Sequence, residues 1–247
     1  MAPVSLVLLV HNEASIIESV IRDFDTKIIS LIPGSEIVIA EDGSTDGTKE
    51  ILRRLVKENP RLRLEEGTEK RGYVNAFKKA MTLPQNEVVI YCDSSGKYDP
   101  NDFWRMIPLM KDHDMVMGYK ASRKDPLYRV MIAKVFNFLI NIYFGLPFHD
   151  IDCPFRVFKK SIFLKICEGE IFHKELINFE VTVRMVKYGY KVAEIPIAHF
   201  ARKNGASRGL PLKKLPSVIF RTLRYFPQIK ADIKDKKSFF LSTAFQQ

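Results

Sequence analysis

Acidic side chains follow three separate apolar runs in the first hundred residues of the chain. The runs are Ser5–Val10, Glu36–Ala40 and Glu87–Tyr91, and they lead into His11-Asn12-Glu13, into residues 41–47 (EDGSTDG) and into residues 92–96 (CDSSG). Carboxylates and hydroxyls in such positions suit ribose hydroxyls, base N–H groups and divalent cations. These segments lack the glycine-rich cradle that binds a bare dinucleotide, so the pattern favours a sugar nucleotide as the ligand.

Hydrophobic periodicity predicts the elements that must position these side chains. The first two runs precede helical patterns and the third precedes a short one starting at Pro100, which indicates repeated strand–loop–helix units and a parallel sheet. Ligands of such sheets lie outside the carboxyl ends of the strands. The predicted helices are Ala14–Ser30, Thr48–Asn59, Val74–Met81, Pro100–Lys111, Tyr128–Phe144, Phe179–Tyr188 and Pro216–Lys237, the last as one helix or a pair broken at Pro227; further strands are Arg61–Leu64, Met115–Gly118, Arg156–Lys159 and Val192–Ile195.

Length and composition predict one α/β domain with a C-terminal extension. The 247 residues are 46% apolar, enough for one core. Cys92, Cys153 and Cys167 are odd in number and lack CxxC spacing, which argues against a disulfide framework or a zinc site. No signal peptide is recognisable, so we expect a cytosolic protein. The apolar segment Ile132–Phe148 contains Lys134 and a Gly-Leu-Pro break, so we expect an amphipathic helix at a membrane surface and no transmembrane helix.

The charge is unevenly distributed along the chain. Residues 1–100 hold 13 basic and 16 acidic residues, whereas residues 202–247 hold 11 basic and 2 acidic residues, within a total net charge of +10. A basic tail indicates an anionic partner such as a phosphate, an anionic lipid surface or a nucleic acid. The tail lacks the motifs of nucleic-acid-binding modules, so we predict docking on an anionic membrane. The alternative is that its apolar residues pack against the domain and its charges are solvated.

Residues 41–48 carry the strongest motif. Gly43 and Gly47 permit a tight turn, and Ser44, Thr45 or Asp46 could cap the following helix. A simple strand–helix connection is one interpretation of this block. Capping alone does not require so many acidic and hydroxyl groups, so we interpret it as part of a ligand site.

The order and spacing of several motifs resemble the family 2 glycosyltransferases of the GT-A fold, and within them the polyprenyl-phosphate (dolichol-phosphate) mannose and glucose synthases. The resemblance runs from about Val4 to Arg208. The matching pieces are Asn12-Glu13, residues 41–48 (EDGSTDGT), Arg71-Gly72, Asp93 with Asp99-Pro100, Gly145-Leu146, Asp150 with Phe155-Arg156, Phe179-Glu180, and Arg202 with Gly205-Ala206-Ser207-Arg208. The resemblance implies transfer of a sugar from a nucleotide-sugar to a lipid phosphate, with inversion at the anomeric carbon.

The resemblance also implies which residues bind the donor. The nucleoside would be lined by Leu9, Val10, His11 and Glu13 and held by Asp42, and the donor-binding set continues with Gly72, Asp93, Ser94, Ser95 and Lys97. Relatives usually carry Pro-Thr-Tyr where this chain has Leu9-Val10-His11, which leaves both a UDP-sugar and a GDP-sugar open.

Asp93-Ser94-Ser95 occupies the position of the family's Asp-x-Asp motif, which binds a divalent cation on the donor diphosphate. Two interpretations stay open here. Asp93 and Ser95 could hold Mg²⁺ or Mn²⁺, with phosphates and water as the remaining ligands. Alternatively, Lys97 could supply the positive charge itself.

Basic residues and a second acidic residue complete the site implied by the resemblance. The phosphate- and acceptor-binding residues would be Lys120, Arg129, Arg202, Ser207 and Arg208. The residues at the reacting centre would be Asp93 and Asp150. A lipid phosphate is already ionised at neutral pH, so Asp150 could orient the acceptor or the sugar without acting as a base.

These observations predict a Rossmann-like, mostly parallel sheet flanked by helices (a GT-A domain, residues 1–200) and a basic helical extension (residues 201–247). The predicted function is inverting transfer of a hexose or related sugar to a polyprenyl phosphate by a peripheral protein at the cytosolic membrane face. A membrane-anchored partner subunit is a further expected partner, and a nucleic acid is not. The alternatives are a family 2 transferase acting on a saccharide, lipid or protein hydroxyl, and a catalytically inactive subunit of the same fold.

Overall fold

The computed structural model describes residues 1–168, Ile171, 176–201 and 215–244, and within the last range the side chains of residues 219–236. The strands in these ranges are β1 (Val4–Val10), β2 (Glu36–Glu41), β3 (Leu62–Glu66), β4 (Val88–Asp93), β5 (Met115–Lys120), β6 (Arg156–Lys159) and β7 (Val192–Ile197). The α-helices are α1 (Ile17–Lys27), α2 (Thr48–Glu58), α3 (Tyr73–Thr82), α4 (Phe103–Met106), α5 (Leu127–Phe144), α6 (Lys160–Cys167), α7 (Ile177–Lys187) and α8 (Leu215–Ala244).

The described strands form one mixed sheet in the order β3-β2-β1-β4-β6-β5-β7. β1 pairs in parallel with β2 and β4, β2 with β3, and β5 with β7, whereas β6 runs antiparallel to both of its neighbours. The predicted mostly parallel α/β sheet is therefore confirmed. Val10 is in register with Glu41, and Leu9 with Asp93, so the acidic ends of β1, β2 and β4 lie side by side.

Apolar side chains cover both faces of the sheet. Successive residues of a strand point to opposite faces, and along β1 Leu6 and Leu8 join the cluster that contains Phe24 of α1. Val7 joins the opposite cluster with Phe77 of α3. Because both faces are covered, the loops at the strand ends are the part of the sheet open to a ligand.

Two predicted elements differ in the structure. Residues 100–111 form a 3₁₀ turn, the short helix α4 and a second 3₁₀ turn, because Pro108 lacks the N–H that a continuous helix would use. The expected N-cap is present, with the Asp99 carboxylate accepting a hydrogen bond from the Asn101 N–H at 3.0 Å. β7 continues through Pro196 to Ile197, which an edge strand tolerates.

α5 lies along the domain with one face buried. Asn137, Ile140 and Phe144 contact the core, while the opposite face is exposed. Among the described residues, α5 is the one helix that is long and apolar enough to cross a bilayer by length and composition, a property not expected from the sequence. Its 18 residues span about 27 Å.

α8 is one continuous helix that contains Pro227. Phe226, Ile229 and Ile233 are buried in the core cluster beside α5 and α7. The Asp232 carboxylate accepts a hydrogen bond from the fully buried guanidinium of Arg184 on α7. The C-terminal extension is thus attached to the domain along one face of α8.

Candidate active site

A cavity of about 980 Å³ opens at the C-terminal ends of β1, β2 and β4. Most of the residues predicted to form a site line it together, namely Leu9, Val10, His11, Glu13, Asp42, Asp93, Ser94, Ser95, Lys97, Lys120, Arg129 and Asp150. Gly72 is beside the cavity: it has a φ of 84° at the start of α3, and its neighbour Tyr73 lines the wall. The predictions for Arg202, Ser207 and Arg208 lie outside the described residues.

Hydrogen bonds between the first two acidic loops hold the ends of β1 and β2 together. Asn12 adopts a left-handed backbone with a φ of 55°, and its N–H donates to Ser44 Oγ at 2.8 Å. The Glu13 N–H donates to Thr48 Oγ1 at 2.9 Å. These hydroxyls therefore join the two loops, and Asp42 is the member of this motif that lines the cavity.

Asp42 is held by a close approach of a third loop. The Arg71 N–H donates to Asp42 Oδ1 at 2.8 Å. Gly43, with a φ of 69°, makes this approach possible, because a Cβ atom there would lie 2.6 Å from the carbonyl carbon of Glu69. Asp42 is buried and uses one carboxylate oxygen for this contact, so its orientation is fixed before any ligand binds.

Asp93 is the last residue of β4 and lies among charges of both signs. Burial raises the pKa of its carboxyl group, and the nearby Lys120 and Lys97 ammonium groups partly offset that effect, while Glu13 adds to it. A buried carboxylate of this kind is stabilised in its ionised form by an additional cation. The end of β4 is therefore suited to bind a positively charged group.

The oxygen atoms at the end of β4 fit a weakly held divalent cation. Ser95 Oγ is shielded from water and has no hydrogen-bond partner among the described residues. Together with the Asp93 carboxylate it presents hard oxygen donors, which Mg²⁺ and Mn²⁺ prefer. The described part of the chain contains no group of three or more His, Cys, Asp or Glu side chains that could hold a metal. A cation here would need phosphate and water ligands to complete its coordination.

The positive charge of Lys97 is partly neutralised by Asp125, which lies in the loop between β5 and α5. Its Nζ lies 3.7 Å from Asp125 Oδ1, and the Arg123 guanidinium lies 3.1 Å from the other oxygen of the same carboxylate. The Arg123 hydrogen bond and charge hold the pKa of Asp125 below its usual range, although burial opposes them. Asp125 thus holds two cationic side chains at the cavity wall.

Lys120 and Asp150 form a buried ion pair that lines the cavity. Lys120 Nζ donates to Asp150 Oδ2 at 2.6 Å, and both side chains are about nine-tenths buried. Glu194 of β7 accepts hydrogen bonds from the backbone N–H groups of His149 and Asp150. Asn137 of α5 accepts one from the Ile151 N–H at 3.0 Å. Asp150 is therefore held rigidly and is already engaged with a cation.

Arg156 supports the same wall from behind. Its guanidinium is fully buried and donates to the carbonyl oxygens of Ile151, Cys153 and Asn178. These contacts join the turn that follows α5 to the first turn of α7. The Phe155-Arg156 motif singled out in the sequence thus has a positioning role beneath the cavity.

An apolar wall continues directly from the charged part of the cavity. α5 contributes Tyr128, Met131, Ile132, Val135, Phe136 and Leu139, and α8 contributes Ile219, Leu223 and Phe226. Arg129 projects from the same stretch of α5, and its Nε lies 3.2 Å from the hydroxyl of Tyr128. The cavity therefore combines acidic and basic side chains at the strand ends with an apolar groove.

Several residues that line the cavity were not predicted from the sequence. Tyr73, Arg123, Asp125, Asp152 and Asn178 were not predicted as site residues. Asp152 follows Asp150 by two positions, a spacing that could have drawn attention to it. Tyr73 and Asn178 adjoin the Arg71-Gly72 and Phe179-Glu180 motifs, which could have drawn attention to them, whereas Arg123 and Asp125 lie in a segment with no such motif.

Comparison with known proteins identifies relatives of this chain. A family model described as "Glycosyl transferase family 2" matches residues 5–167. Glycosyltransferase AglD of Haloferax volcanii is 26% identical over 204 residues, covering 78% of this chain and 32% of that protein. Dodecaprenyl-phosphate galacturonate synthase of Rhizobium johnstonii is 24% identical over 208 residues, covering 83% of this chain and 61% of that protein. The chain spans a third to three fifths of the length of these curated relatives.

Solved structures support the fold independently. Mannosyl-3-phosphoglycerate synthase from Rubrobacter xylanophilus superposes with a TM-score of 0.71 at 14% identity, covering 92% of this chain and 73% of that one. Glucosyl-3-phosphoglycerate synthase from Mycobacterium tuberculosis, in complex with Mn²⁺, UDP and phosphoglyceric acid, superposes with a TM-score of 0.67 at 15% identity, covering 91% and 78%. At this level of identity the likeness concerns the fold.

Proposed function

Because the chain belongs to glycosyl transferase family 2, we propose that it transfers a hexose or related sugar from a nucleotide-sugar to a polyprenyl phosphate. The observation that carries the proposal is the continuity of the cavity. Acidic and basic side chains at the strand ends lead without interruption to the apolar groove of α5 and α8. A nucleotide-sugar needs the first part, and a phosphate on a long hydrocarbon chain needs cations beside an apolar groove.

The names of two relatives support the acceptor class. One is a dodecaprenyl-phosphate galacturonate synthase, and another is an undecaprenyl-phosphate 4-deoxy-4-formamido-L-arabinose transferase of Pseudomonas aeruginosa. Both names describe a sugar joined to a polyprenyl phosphate. The same kind of acceptor suits the apolar groove of this chain.

We assign the donor to the acidic end of the cavity. The nucleoside contacts Leu9, Val10, His11 and Glu13 and is held by Asp42. The diphosphate lies at Asp93, Ser94, Ser95 and Lys97, close to Gly72. Both a UDP-sugar and a GDP-sugar fit this assignment.

The reaction is an in-line displacement at the anomeric carbon. An oxygen of the acceptor phosphate forms the new bond to carbon on the face opposite the diphosphate. The bond between the anomeric carbon and the diphosphate oxygen breaks, and the nucleoside diphosphate leaves with the electron pair. Lys120 and Arg129 position the acceptor phosphate, together with Arg202, Ser207 and Arg208. Since that phosphate is already ionised, Asp150 positions Lys120 and need not remove a proton.

A divalent cation, Mg²⁺ or Mn²⁺, would be held by Asp93 and Ser95. When bound, it would neutralise negative charge on the departing diphosphate. Pairing of Lys97 with Asp125 leaves Lys97 less able to supply that charge alone. EDTA should therefore abolish activity, and Lys97→Ala should be milder. Activity that survives EDTA but is lost in Lys97→Ala would instead assign the charge to Lys97.

We further propose that the domain of residues 1–200 and the extension of residues 201–247 work peripherally at the cytosolic face of an anionic membrane. Exposed apolar residues recur along one face of α5, with Met131 67% and Phe138 62% exposed, and Phe220 on α8 is 70% exposed. A contiguous set of exposed apolar side chains marks an interaction site. Basic side chains of α8, such as Arg224 and Lys230, are exposed beside it and favour anionic lipid.

Vesicle co-sedimentation tests the membrane assignment. Met131→Glu with Phe138→Glu should abolish binding to anionic vesicles, whereas Leu31→Glu is a matched control, because Leu31 is 60% exposed outside this patch. Binding should weaken at high salt. Equal binding of both variants would refute the assignment, and binding that requires a membrane-protein fraction would indicate a membrane-anchored partner subunit.

Transfer of a radiolabelled sugar tests the function directly. Purified protein, membrane lipid containing a polyprenyl phosphate, and UDP- or GDP-linked hexoses should yield label that partitions into organic solvent. Asp42→Ala and Asp93→Ala should abolish the transfer while the protein stays folded. Label that remains in water would favour a hydroxyl acceptor. Donor binding without either transfer or hydrolysis would favour an inactive subunit of the same fold.

A further inference from the structure

Two polar side chains line the cavity without being used by the donor and acceptor assignments above. Asp152 lies in the turn between α5 and β6, and Asn178 in the first turn of α7. Asp152 Oδ1 and Asn178 Oδ1 are both shielded from water and have no hydrogen-bond partner in the described part of the chain. Buried polar atoms in folded proteins are nearly always bonded, so unpaired ones at a cavity point to a ligand.

One polar atom of the Asn178 amide is unpaired in either orientation of that amide. The side chain is 4% exposed, and Nδ2 lies 3.4 Å from the Tyr73 hydroxyl, which itself lies 2.7 Å from the Tyr91 hydroxyl. Rotating the amide would place Oδ1 against Tyr73 and leave Nδ2 unpaired. One end of the amide is therefore available to a ligand in either orientation.

A buried guanidinium fixes both residues in place. Arg156 Nη1 donates to the carbonyl oxygen of Asn178, and Nη2 donates to that of Ile151, the residue before Asp152, each at 3.2 Å. Their backbones are therefore held by one group before any ligand binds. Such preorganisation is what a recognition site requires.

The position of this pair matches the sugar end of a donor. The hydroxyl of Tyr73 lies 3.4 Å from Asn178 Nδ2. Burial raises the pKa of Tyr73, and the charges of both Asp93 and Asp152 add to that effect. The ammonium group of Lys120, which pairs with Asp150, acts to lower the pKa of both Asp93 and Asp152. The pair thus lies beside the proposed diphosphate site and near the proposed acceptor phosphate, where the transferred sugar must project.

The charges around the pair define the sugar that it accepts. Burial raises the pKa of Asp152 to about 7, against the opposing charge of Arg156 and with a further contribution from Asp150. Asp93 adds a carboxyl group at the same end of the cavity, whereas Asp150 is already paired with Lys120. Oxygen-rich surroundings of this kind bind hydroxyl and N–H groups, and they repel a carboxylate.

We propose that Asp152 and Asn178 bind hydroxyl groups of the transferred sugar and select an uncharged hexose over a uronic acid. The inference rests on the proposed function, because it assumes a nucleotide-sugar in this cavity. It separates this chain from the relative named for galacturonate transfer.

Calorimetric titration of nucleotides against nucleotide-sugars tests the inference. UDP, GDP, UDP-glucose, GDP-mannose and UDP-glucuronate are titrated into the wild-type protein, Asp152→Asn and Asn178→Ala. Asn178→Ala should lose about tenfold in affinity for the neutral sugar nucleotide, the effect of one buried hydrogen bond, and Asp152→Asn should lose about threefold, because its amide oxygen can still accept a bond. Both variants should lose less than twofold for the bare nucleoside diphosphate. The wild type should bind UDP-glucuronate at least tenfold more weakly than UDP-glucose. Asp112→Asn, at an exposed position outside the cavity, is the matched control and should change nothing.

The outcomes separate this inference from the proposed function. Equal losses for nucleotide and nucleotide-sugar, no loss in either variant, or a uronate donor bound as tightly as a neutral one would overturn the sugar assignment alone. Failure of the wild type to bind any of these nucleotides would overturn the proposed function and the inference with it. If Asp152→Asn does not fold, the sugar assignment is still tested by Asn178→Ala and by the comparison of neutral and uronate donors in the wild type.

Discussion

The Lys120–Asp150 pair allows a quantitative test of the proposed roles. The charged atoms lie 2.6 Å apart and both side chains are about nine-tenths buried. At an effective dielectric constant of about 20 their attraction is about 6 kcal/mol, most of which offsets the cost of removing two charges from water. Lys120→Met leaves Asp150 buried without its partner and should cost about 3–5 kcal/mol of unfolding free energy.

Asp150→Asn should cost less, about 1–3 kcal/mol, because the amide oxygen can still accept a hydrogen bond from Lys120. Replacing both residues removes both charges, so the double variant should be more stable than the sum of the two single losses predicts, by about 1–3 kcal/mol. Urea unfolding of the four proteins measures this coupling. Additive losses within about 0.5 kcal/mol would refute the view that the two groups act as one unit.

The same variants separate positioning from proton removal. Lys120→Met should lower kcat/KM by about 10²–10³-fold, the usual effect of removing one charge-stabilising donor. Asp150→Asn should lower it by less than 10²-fold and leave the acidic limb of its pH profile unchanged, since Asp150 positions Lys120. A loss of about 10⁴-fold in Asp150→Asn, together with disappearance of that limb, would identify Asp150 as a general base. The Asp112→Asn variant should behave as the wild type throughout.

Three further predictions follow from local features. Gly43→Ala should lose donor binding and about 1–3 kcal/mol of stability, because its left-handed backbone and the nearby chain leave no room for a Cβ beside Asp42; wild-type donor affinity in calorimetry would contradict this. Although His199, whose pKa burial lowers to about 4, contributes the opposite slope, the raised pKa of Asp152 means that the folded protein holds a proton there that the unfolded chain has lost, so the contribution of Asp152 to stability should fall by about 1.4 kcal/mol per pH unit between about pH 4 and 7. Asp152→Asn should remove this contribution and exceed the wild type in stability at pH 8. Parallel curves of stability against pH for the two proteins would argue against a raised pKa of Asp152. Asp232→Asn should cost about 1–3 kcal/mol and expose α8 to proteolysis, because it removes a partner of buried Arg184; an unchanged digestion pattern would show that apolar contacts alone hold α8.

The strands and their acidic ends could be predicted because the relevant signals are local. Continuous apolar runs such as Glu36–Ala40 are typical of strands buried on both faces, and the residues that follow them fall at one edge of a parallel sheet. Periodicity likewise predicted α2 and α5 to within a residue or two. Asp42 and Asp93 reach the cavity for the same reason, since each directly follows or ends a strand.

Long-range packing decided the rest. The antiparallel pairing of β6, the hydrogen bond from the Asn12 N–H to Ser44 Oγ, and the Lys120–Asp150 pair each join segments far apart in the chain. Pro227 does not interrupt α8, because burial of Phe226 and Ile229 against the core stabilises the helix around it. No local pattern encodes these contacts, since each depends on where two separate elements meet.

The chemical class of the site was thus determined by the sequence alone, through residue types placed at strand ends. Which polar atoms are already paired, and which remain available to a ligand, was decided by tertiary structure. Asp150 and Asp152 show the difference: they are two positions apart in the chain, yet one is bonded to Lys120 and the other has an unpaired oxygen. The physical reason is that hydrogen bonding and desolvation depend on the surroundings that the whole fold creates.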